Sequence, residues 1–221
     1  MTSLGPGAHT RVRRLPEKAA YDADTIHQIF DDAPFCAVAA TVDGLAMALP
    51  TLHVREGNTL YVHANKSNAL LQAALAAGRA SVSATVYEGI RLARSGFESS
   101  IAYRSAVVVG GTRVIDDLDE RRRILDATVE AIVPGRSHEI RPASDREVAL
   151  TLVVAIDITE GSAKISAGPT DDAGEDRAAP VWSGTIPARL VYGEPVPATD
   201  GAMASGAIDV PASVRRLLGQ A

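Results

Sequence analysis

The chain has 221 residues, of which 46% are hydrophobic, and its formal net charge at pH 7 is −5. This length and apolar content are enough for one sizeable core, so a single domain is expected. The acidic balance and a pI near 5.5 argue against a nucleic-acid or anionic-membrane partner, because either would require a basic face. Cys36 is the only cysteine, which excludes an intrachain disulfide and a cysteine-cluster metal site.

The N-terminal residues and the lack of long apolar runs predict where the domain begins and where the protein resides. Residues 1–12 are rich in Gly, Ser, Thr and Pro and are expected to be disordered, with residues 13–221 forming the domain and its C-terminal extension. Residues 1–10 lack the apolar core of a signal peptide, and no run reaches the length of a bilayer span. With the lone cysteine, this predicts a cytoplasmic protein with no membrane partner.

The first half of the chain predicts one helix and a set of short strands. Asp22 or Asp24 caps a helix over residues 24–32, and the turn dipeptides Asp43-Gly44 and Gly57-Asn58 separate three strand signals. We expect these strands, over 35–41, 45–54 and 59–63, to form an antiparallel meander. A helix over 67–77 ends at Gly78, and a strand over 80–87 returns through 90–93 after a turn at 88–89.

The second half predicts more strands and one long helix. Gly110-Gly111 indicates a bulge in a strand over 103–115, and Asp117 caps a helix over 118–133. A strand over 147–158, an acidic surface loop over 170–177 and a short terminal helix over 212–218 follow. Six to eight short strands with two or three helices predict a mainly β or α+β barrel rather than a doubly wound sheet.

The segment from His63 to Ser67 is the most informative stretch for function. It lies between a strand and an apolar helix, and a helix N-terminus offers free N–H groups and a partial positive charge to an anion. Lys66 adds a full charge and the Ser67 hydroxyl a further donor. The pattern predicts a phosphate site, and Arg104, at the start of a later strand, offers a second cation.

The order of several short motifs between Arg13 and Pro187 resembles the flavin-nucleotide-binding branch of the pyridoxamine-phosphate-oxidase-like split-barrel family, which includes the nitroimidazole reductases. The motifs are Arg13-Arg14-Leu15-Pro16-Glu17-Lys18-Ala19 with Tyr21-Asp22, Leu60-Tyr61-Val62-His63, Leu92-Ala93-Arg94-Ser95, Tyr103-Arg104-Ser105, Ser162-Ala163-Lys164 and Pro180-Val181-Trp182-Ser183-Gly184. The resemblance implies a split β-barrel with short flanking helices that binds FMN at the interface of a homodimer.

The same resemblance implies roles for particular residues. Lys66, Ser67 and Arg104 would hold the flavin phosphate, and Trp182 would cover part of the ring or the pocket mouth. The backbone of residues 49–51 would lie along the ring. The complete predicted cofactor site is Leu49, Pro50, Thr51, His63, Ala64, Asn65, Lys66, Ser67, Arg104, Ser105 and Trp182. Glu98 and Ala102 depart from the His and Asn that relatives tend to carry there, which leaves the substrate open.

Several alternatives remain open at this point. His63 either donates a proton to a small substrate or only orients the ring. His53 and His63 can share a metal or a heme only if both side chains lie on one face of the sheet. No metal site is expected, and no Gly-rich dinucleotide fingerprint is present. The expected function is an FMN-dependent oxidoreductase; the alternatives are a flavin or ligand carrier without turnover, and an interaction module that has lost its cofactor.

Overall fold

A computed structural model describes residues 3–201, 203 and 208–219. One nine-stranded antiparallel sheet forms its body. The strands are β1 (Ala19–Ala20), β2 (Cys36–Val42), β3 (Leu45–Thr51), β4 (His53–Glu56), β5 (Thr59–Asn65), β6 (Arg79–Leu92), β7 (Ser100–Val114), β8 (Thr151–Ser166) and β9 (Gly184–Pro187). The α-helices are α1 (Ala23–Asp32), α2 (Ala69–Ala76), α3 (Leu118–Ile132), α4 (Asp145–Leu150) and α5 (Ala212–Leu217).

The order of the strands shows that the sheet closes on itself. It runs β3-β2-β6-β7-β8-β5-β4, with β1 added beside β8 and β9 beside β6. Strands β3 and β4 are therefore at the two ends of the path, yet only Leu52 separates them in sequence. The two ends must lie next to each other, because consecutive Cα atoms are about 3.8 Å apart. The expected mainly β barrel with short helices is confirmed.

The predicted meander is wrong at Leu52. The sequence predicts one strand over 45–54, but the structure breaks it at Leu52, and β4 pairs with β5 rather than with β3. Apolar residues continue across the break as Leu52 and Val54, so hydrophobicity alone does not reveal it. The hairpins β2–β3 and β4–β5 are present, with Asp43-Gly44 and Gly57-Asn58 at their turns.

Two bulges shape the long strands. The register of β7 against β8 shifts between Val109 and Gly110, as the glycine pair predicts, but the extra residue is Thr159 of β8. In β6 the expected turn at Glu88-Gly89 is wrong, because the strand continues to Leu92 with Glu88 as the bulged residue. The bulge interrupts the alternation of side chains along β6 and changes the direction of the Glu88 side chain, as bulges typically do.

The remaining corrections concern single segments. The strand predicted to start at Glu147 begins only at Thr151, because the Ser144–Glu147 capping box starts helix α4 instead. Residues 3–10, expected to be disordered, are hydrogen-bonded to the barrel; for example, the Leu4 amide donates to Tyr21 and the Gly161 amide donates to Leu4. The other helices lie within two residues of their expected bounds.

The sheet separates two hydrophobic clusters. The larger one fills the barrel and is built on Ile26, Phe30, Val38, Leu60 and Val108. The smaller one lies on the opposite face of β5 and β8, under α3, and contains Tyr61, Ile115, Ile124, Val153 and Ala155. Because side chains alternate along a strand, neighbouring residues of β5 face different clusters. No helix in the described part of the chain is long and apolar enough to cross a membrane.

Candidate functional site

The elbow between β5 and α2 is held by two asparagines. Asn65 Oδ1 accepts hydrogen bonds from the Ser67 amide at 2.9 Å and from the Ser67 hydroxyl at 2.8 Å. Asn68 is the helix cap, and its Oδ1 accepts from the Leu71 amide at 3.0 Å. The Ser67 hydroxyl thus already donates to Asn65, so it is not the free anion donor that the sequence predicts.

Three cationic or donor groups of the elbow remain available. The Ala69 and Leu70 amides, in the first turn of α2, have no acceptor among the residues that the structure describes. Lys66 is exposed and forms no ion pair within that part of the chain. Two free amides and an unpaired ammonium group at one helix N-terminus suit a phosphate.

His63 and Ala64 lie at the end of β5 on opposite faces of the sheet. His63 pairs in register with Val153 and is half-buried on the α3 face, whereas Ala64 packs against the barrel core. Burial lowers the pKa of His63 below its usual value of 6.5. The ring is therefore neutral at pH 7 and can accept a proton.

Residues 49–51 form the last part of β3. Leu49 packs against the barrel core, and Pro50 is exposed on the other face of the strand. Helix α2 packs against both β2 and β3, so the elbow helix and the predicted ring-binding strand belong to one region of the barrel.

Arg104 lies on β7, which β8 separates from β5. Its Nε donates to Glu88 Oε1 at 2.6 Å, and its Nη1 donates to Asp32 Oδ2 at 2.9 Å. The hydrogen bond to Glu88 is the main cause of its raised pKa. Nη2 has no partner among the described residues. Within one chain, Arg104 is therefore bound to two carboxylates and forms no hydrogen bond with the elbow. Ser105, on the other face of β7, makes a long contact of 3.5 Å with the Lys164 carbonyl oxygen.

An arginine–aspartate network next to Trp182 was missed by sequence reasoning. Asp172 is buried and accepts from the Arg94 amide and from Arg94 Nη1, both at 2.6 Å, which lowers its pKa. Buried Arg91 donates to Ser166 Oγ at 3.2 Å and to the Pro169 carbonyl oxygen. The expected surface loop over 170–177 is thus anchored to the barrel. The partners are 75 to 78 residues apart, so no local pattern could reveal them.

Trp182 follows that anchored loop and is 65% exposed. Its ring lies against Gly184, where an added Cβ would come within 3.0 Å of the indole. Gly184 starts β9, which pairs with the end of β6. The exposed indole face is therefore fixed beside the β6 end, on the edge of the barrel.

Residues 22–165 match the family model described as pyridoxamine 5′-phosphate oxidase. The chain belongs to this family. The resemblance inferred from the motifs and the split-barrel fold are both confirmed, and the pyridoxamine 5′-phosphate oxidase family is a flavin-binding family. Among curated proteins, none matches the chain.

Two solved structures match nearly the whole chain. A flavocytochrome from Azotobacter vinelandii is 28% identical, with a TM-score of 0.88, and the match covers 96% of this chain and 97% of that one. An FAD and heme binding protein from Mycobacterium smegmatis is 38% identical, with a TM-score of 0.83, covering 90% and 97%. A protein described as a 5-nitroimidazole antibiotic resistance protein, from Bacteroides thetaiotaomicron, shares the fold at 21% identity and a TM-score of 0.57, covering 66% and 86%.

Two positions of this pyridoxamine 5′-phosphate oxidase family member depart from the pattern expected in relatives. Glu98 lies in the connection between β6 and β7, where its amide donates to Ser95 Oγ at 3.3 Å. Ala102 is buried on β7 opposite Gly89. Of the two replacements, only Glu98 carries a polar side chain.

The possibility that His53 and His63 share a metal or a heme is excluded within one chain. His53 pairs with Val62, which faces the barrel core, and His53 itself packs edge-on against Phe30 with ring centroids 5.6 Å apart. His63 follows Val62 and faces the other cluster. Directly paired residues share a face and successive residues alternate, so the two imidazoles point to opposite sides of the sheet.

Proposed function

We propose that this protein binds a flavin nucleotide through the α2 elbow and acts as an oxidoreductase on a small molecule. The observation that carries the proposal is the pair of free amides, Ala69 and Leu70, beside the unpaired Lys66, in a member of a flavin-binding family. Such a site favours a ligand with a phosphate group, which riboflavin lacks. FMN is the proposed nucleotide.

The remaining predicted residues have roles that fit this assignment. Residues 49–51 lie along the ring, and the exposed face of Trp182 covers its edge. The flavin, when bound, supplies the electron-transfer chemistry. His63 handles the proton, because its neutral ring can accept one and pass it on at a strand end that leads into the phosphate elbow.

A homodimer is proposed for the working state. The described chain leaves large apolar side chains in water, among them Phe97 at 88% exposure and Trp182 at 65%. A second copy of the chain packed over these side chains would remove them from water. In a dimer, Arg104 Nη2 of one chain would reach the phosphate on the other, which one chain by itself does not permit. A cytoplasmic location is proposed from the single buried thiol, Cys36, which needs no oxidising compartment.

Calorimetric titration of flavin-free protein with FMN and with riboflavin tests the phosphate site. We expect FMN to bind at least tenfold more tightly, and equal affinities would overturn the assignment. Steady-state reduction of the bound flavin by nicotinamide donors, followed by turnover with small electron acceptors, tests the enzyme. Tight FMN binding with no turnover would instead favour the carrier without catalysis.

A second function, heme binding, is favoured by the extent of two of the structural matches. The flavocytochrome and the FAD and heme binding protein each match at least 90% of this chain, whereas the nitroimidazole resistance protein matches 66%. We propose that this protein holds a heme as well as a flavin, as a two-centre electron-transfer protein. A Soret band after addition of hemin to the full chain, with flavin retained, tests this; no Soret shift up to excess hemin would refute it.

A further inference from the structure

The β8–β9 connection, residues 167–183, carries Trp182, the only tryptophan of the chain. Arg91 holds its first part through the Pro169 carbonyl oxygen. The structure describes every residue of this connection, and Asp172, at 8% exposure, is the one that is buried. A carboxylate is costly to bury unless hydrogen bonds satisfy its oxygens. Burial of Asp172 in a segment that otherwise lies at the surface therefore indicates where the connection is attached to the barrel.

The Asp172 carboxylate joins two segments at the edge of the barrel. Its Oδ1 accepts from the Arg94 amide and its Oδ2 accepts from Arg94 Nη1, so one residue of the β6–β7 connection satisfies both oxygens. The Thr170 hydroxyl donates to Oδ2 at 3.3 Å. The Arg94 amide does most to lower the pKa of Asp172, and the Ser183 hydroxyl contributes to the same shift. Because Ser183 directly follows Trp182, the carboxylate links Arg94 to the residue next to the indole.

Trp182 depends on this attachment, because the residues just before it have few others. Within the described part of the chain, no hydrogen bond joins residues 173–183 to a strand of the barrel. The bonds of this segment are internal, such as the one from Arg177 Nε to the Asp172 carbonyl oxygen at 3.3 Å. On the other side of the indole, Gly184 pairs with the end of β6. Trp182 is therefore held by β9 on one side and by Asp172 on the other.

We propose that Asp172 is a positioning residue for the flavin: through Arg94 and Ser183 it holds Trp182 where the indole covers the bound ring. The inference rests on the proposed flavin function and concerns the ring side of the site, whereas Lys66 belongs to the phosphate side. Asp172 does not contact the flavin and acts only through Trp182, whose indole is 65% exposed. An aromatic ring that is already fixed loses little freedom when the flavin binds, and this preorganisation raises the affinity.

Two ligands separate the ring side of the site from its phosphate side. FMN and riboflavin have the same ring system, and only FMN carries a phosphate. Loss of an aromatic cover weakens both ligands by the same factor, about tenfold for one stacking contact. Loss of Lys66 weakens FMN alone. Because Trp182 is the only tryptophan, its fluorescence reports its own position, and a flavin ring stacked against the indole quenches that emission.

Calorimetric titration of the full-length protein with FMN and with riboflavin, together with Trp182 fluorescence, tests the role of Asp172. We expect Asp172→Ala to bind both ligands about tenfold more weakly, with an unchanged ratio of the two affinities and with most of the quenching lost. In a Trp182→Ala background, the same change should weaken binding by less than about twofold, because the residue through which Asp172 acts is gone. Asp145→Ala is the matched control, since Asp145 accepts from Arg122 Nη2 at the same 2.6 Å on helix α4. We expect this control to bind both ligands like the wild type.

Asp172→Asn provides a second arm if Asp172→Ala does not fold. The amide has the size of the carboxylate and keeps one acceptor for the Arg94 amide, but its nitrogen only donates and cannot accept from Arg94 Nη1. We expect the same equal weakening of FMN and riboflavin.

Three results would overturn the positioning role while leaving the flavin function standing. They are unchanged binding and quenching in the Asp172 variants, a loss confined to FMN, and a loss as large in the Trp182→Ala background as in the wild type. Wild-type protein that binds neither FMN nor riboflavin would instead refute the flavin function, and the positioning role with it.

Discussion

The bulge between β7 and β8 can be tested with a matched pair of glycine substitutions. Gly110 and Gly111 are adjacent in β7, and neither has a positive φ. A Cβ on Gly110 would lie 2.5 Å from the Asp157 carbonyl oxygen and 2.9 Å from Ile156 Cγ2. A Cβ on Gly111 would meet only the Gly78 carbonyl oxygen, at 4.0 Å. Both substitutions add the same methyl group, so the two variants differ only in the atoms that this group contacts.

The expected difference follows from two opposing effects. Overpacking costs about 1–3 kcal/mol, and the clash with a backbone carbonyl puts Gly110→Ala in the upper part of that range. Replacing glycine by alanine also restricts the unfolded chain, which stabilises the fold by about 0.4–1 kcal/mol. We expect Gly110→Ala to lose about 2 kcal/mol in net free energy of unfolding. We expect Gly111→Ala to be neutral or to gain up to about 1 kcal/mol.

Urea denaturation followed by far-UV circular dichroism measures both values. At about 2–4 °C per kcal/mol for a chain of this size, the Tm of Gly110→Ala should fall by about 4–8 °C. Equal slopes m for the variants and the wild type would show that the surface exposed on unfolding is the same, so that the shifts in midpoint report stability. If Gly110→Ala is as stable as Gly111→Ala, the close approach of β7 and β8 at this bulge is wrong.

Three further predictions concern Lys66, His63 and His53. Lys66→Ala should weaken FMN binding by about 1–3 kcal/mol and leave riboflavin binding unchanged; equal losses for both ligands, measured by calorimetry, would remove Lys66 from the phosphate site. His63→Ala should keep its flavin, while any turnover falls by about 10²–10⁴-fold; lost flavin with normal turnover per bound flavin would make His63 a cofactor ligand instead. The free energy of unfolding should fall as the pH drops below 6.5, because unfolded His53 takes up a proton that the buried ring, with its lowered pKa, resists. The slope from this residue is at most about 1.4 kcal/mol per pH unit, and an unchanged slope in His53→Gln would refute it.

The barrel could be predicted from the sequence because its signals are local. Turn dipeptides at 43–44 and 57–58 locate the two hairpin turns, and the Asp22 and Asp117 caps place α1 and α3 within two residues of their observed bounds. The Leu52 break could not be predicted, since it depends on which edges meet when the sheet closes. The start of β8 was predicted too early because the strand-like apolar run after Glu147 hid the Ser144–Glu147 capping box.

Only part of the site could be predicted, because some of its charged residues form ion pairs with residues that are far away in the sequence. Arg104 was expected at a phosphate, yet within the chain it is 72 residues from Asp32, to which it donates a hydrogen bond. His53 likewise donates to the Phe30 carbonyl oxygen of α1, 23 residues away in sequence. No spacing rule connects such residues, whereas the elbow is contiguous and its motif marks it directly.

The identity of the cofactor that co-purifies with the full-length protein tests the central claim most directly. Acid release followed by mass spectrometry and absorbance should give a flavin nucleotide, FMN by this account, in about one equivalent per chain. Lys66→Ala should retain less of it. A protein that purifies without flavin and binds neither FMN nor FAD when either is added would contradict the account.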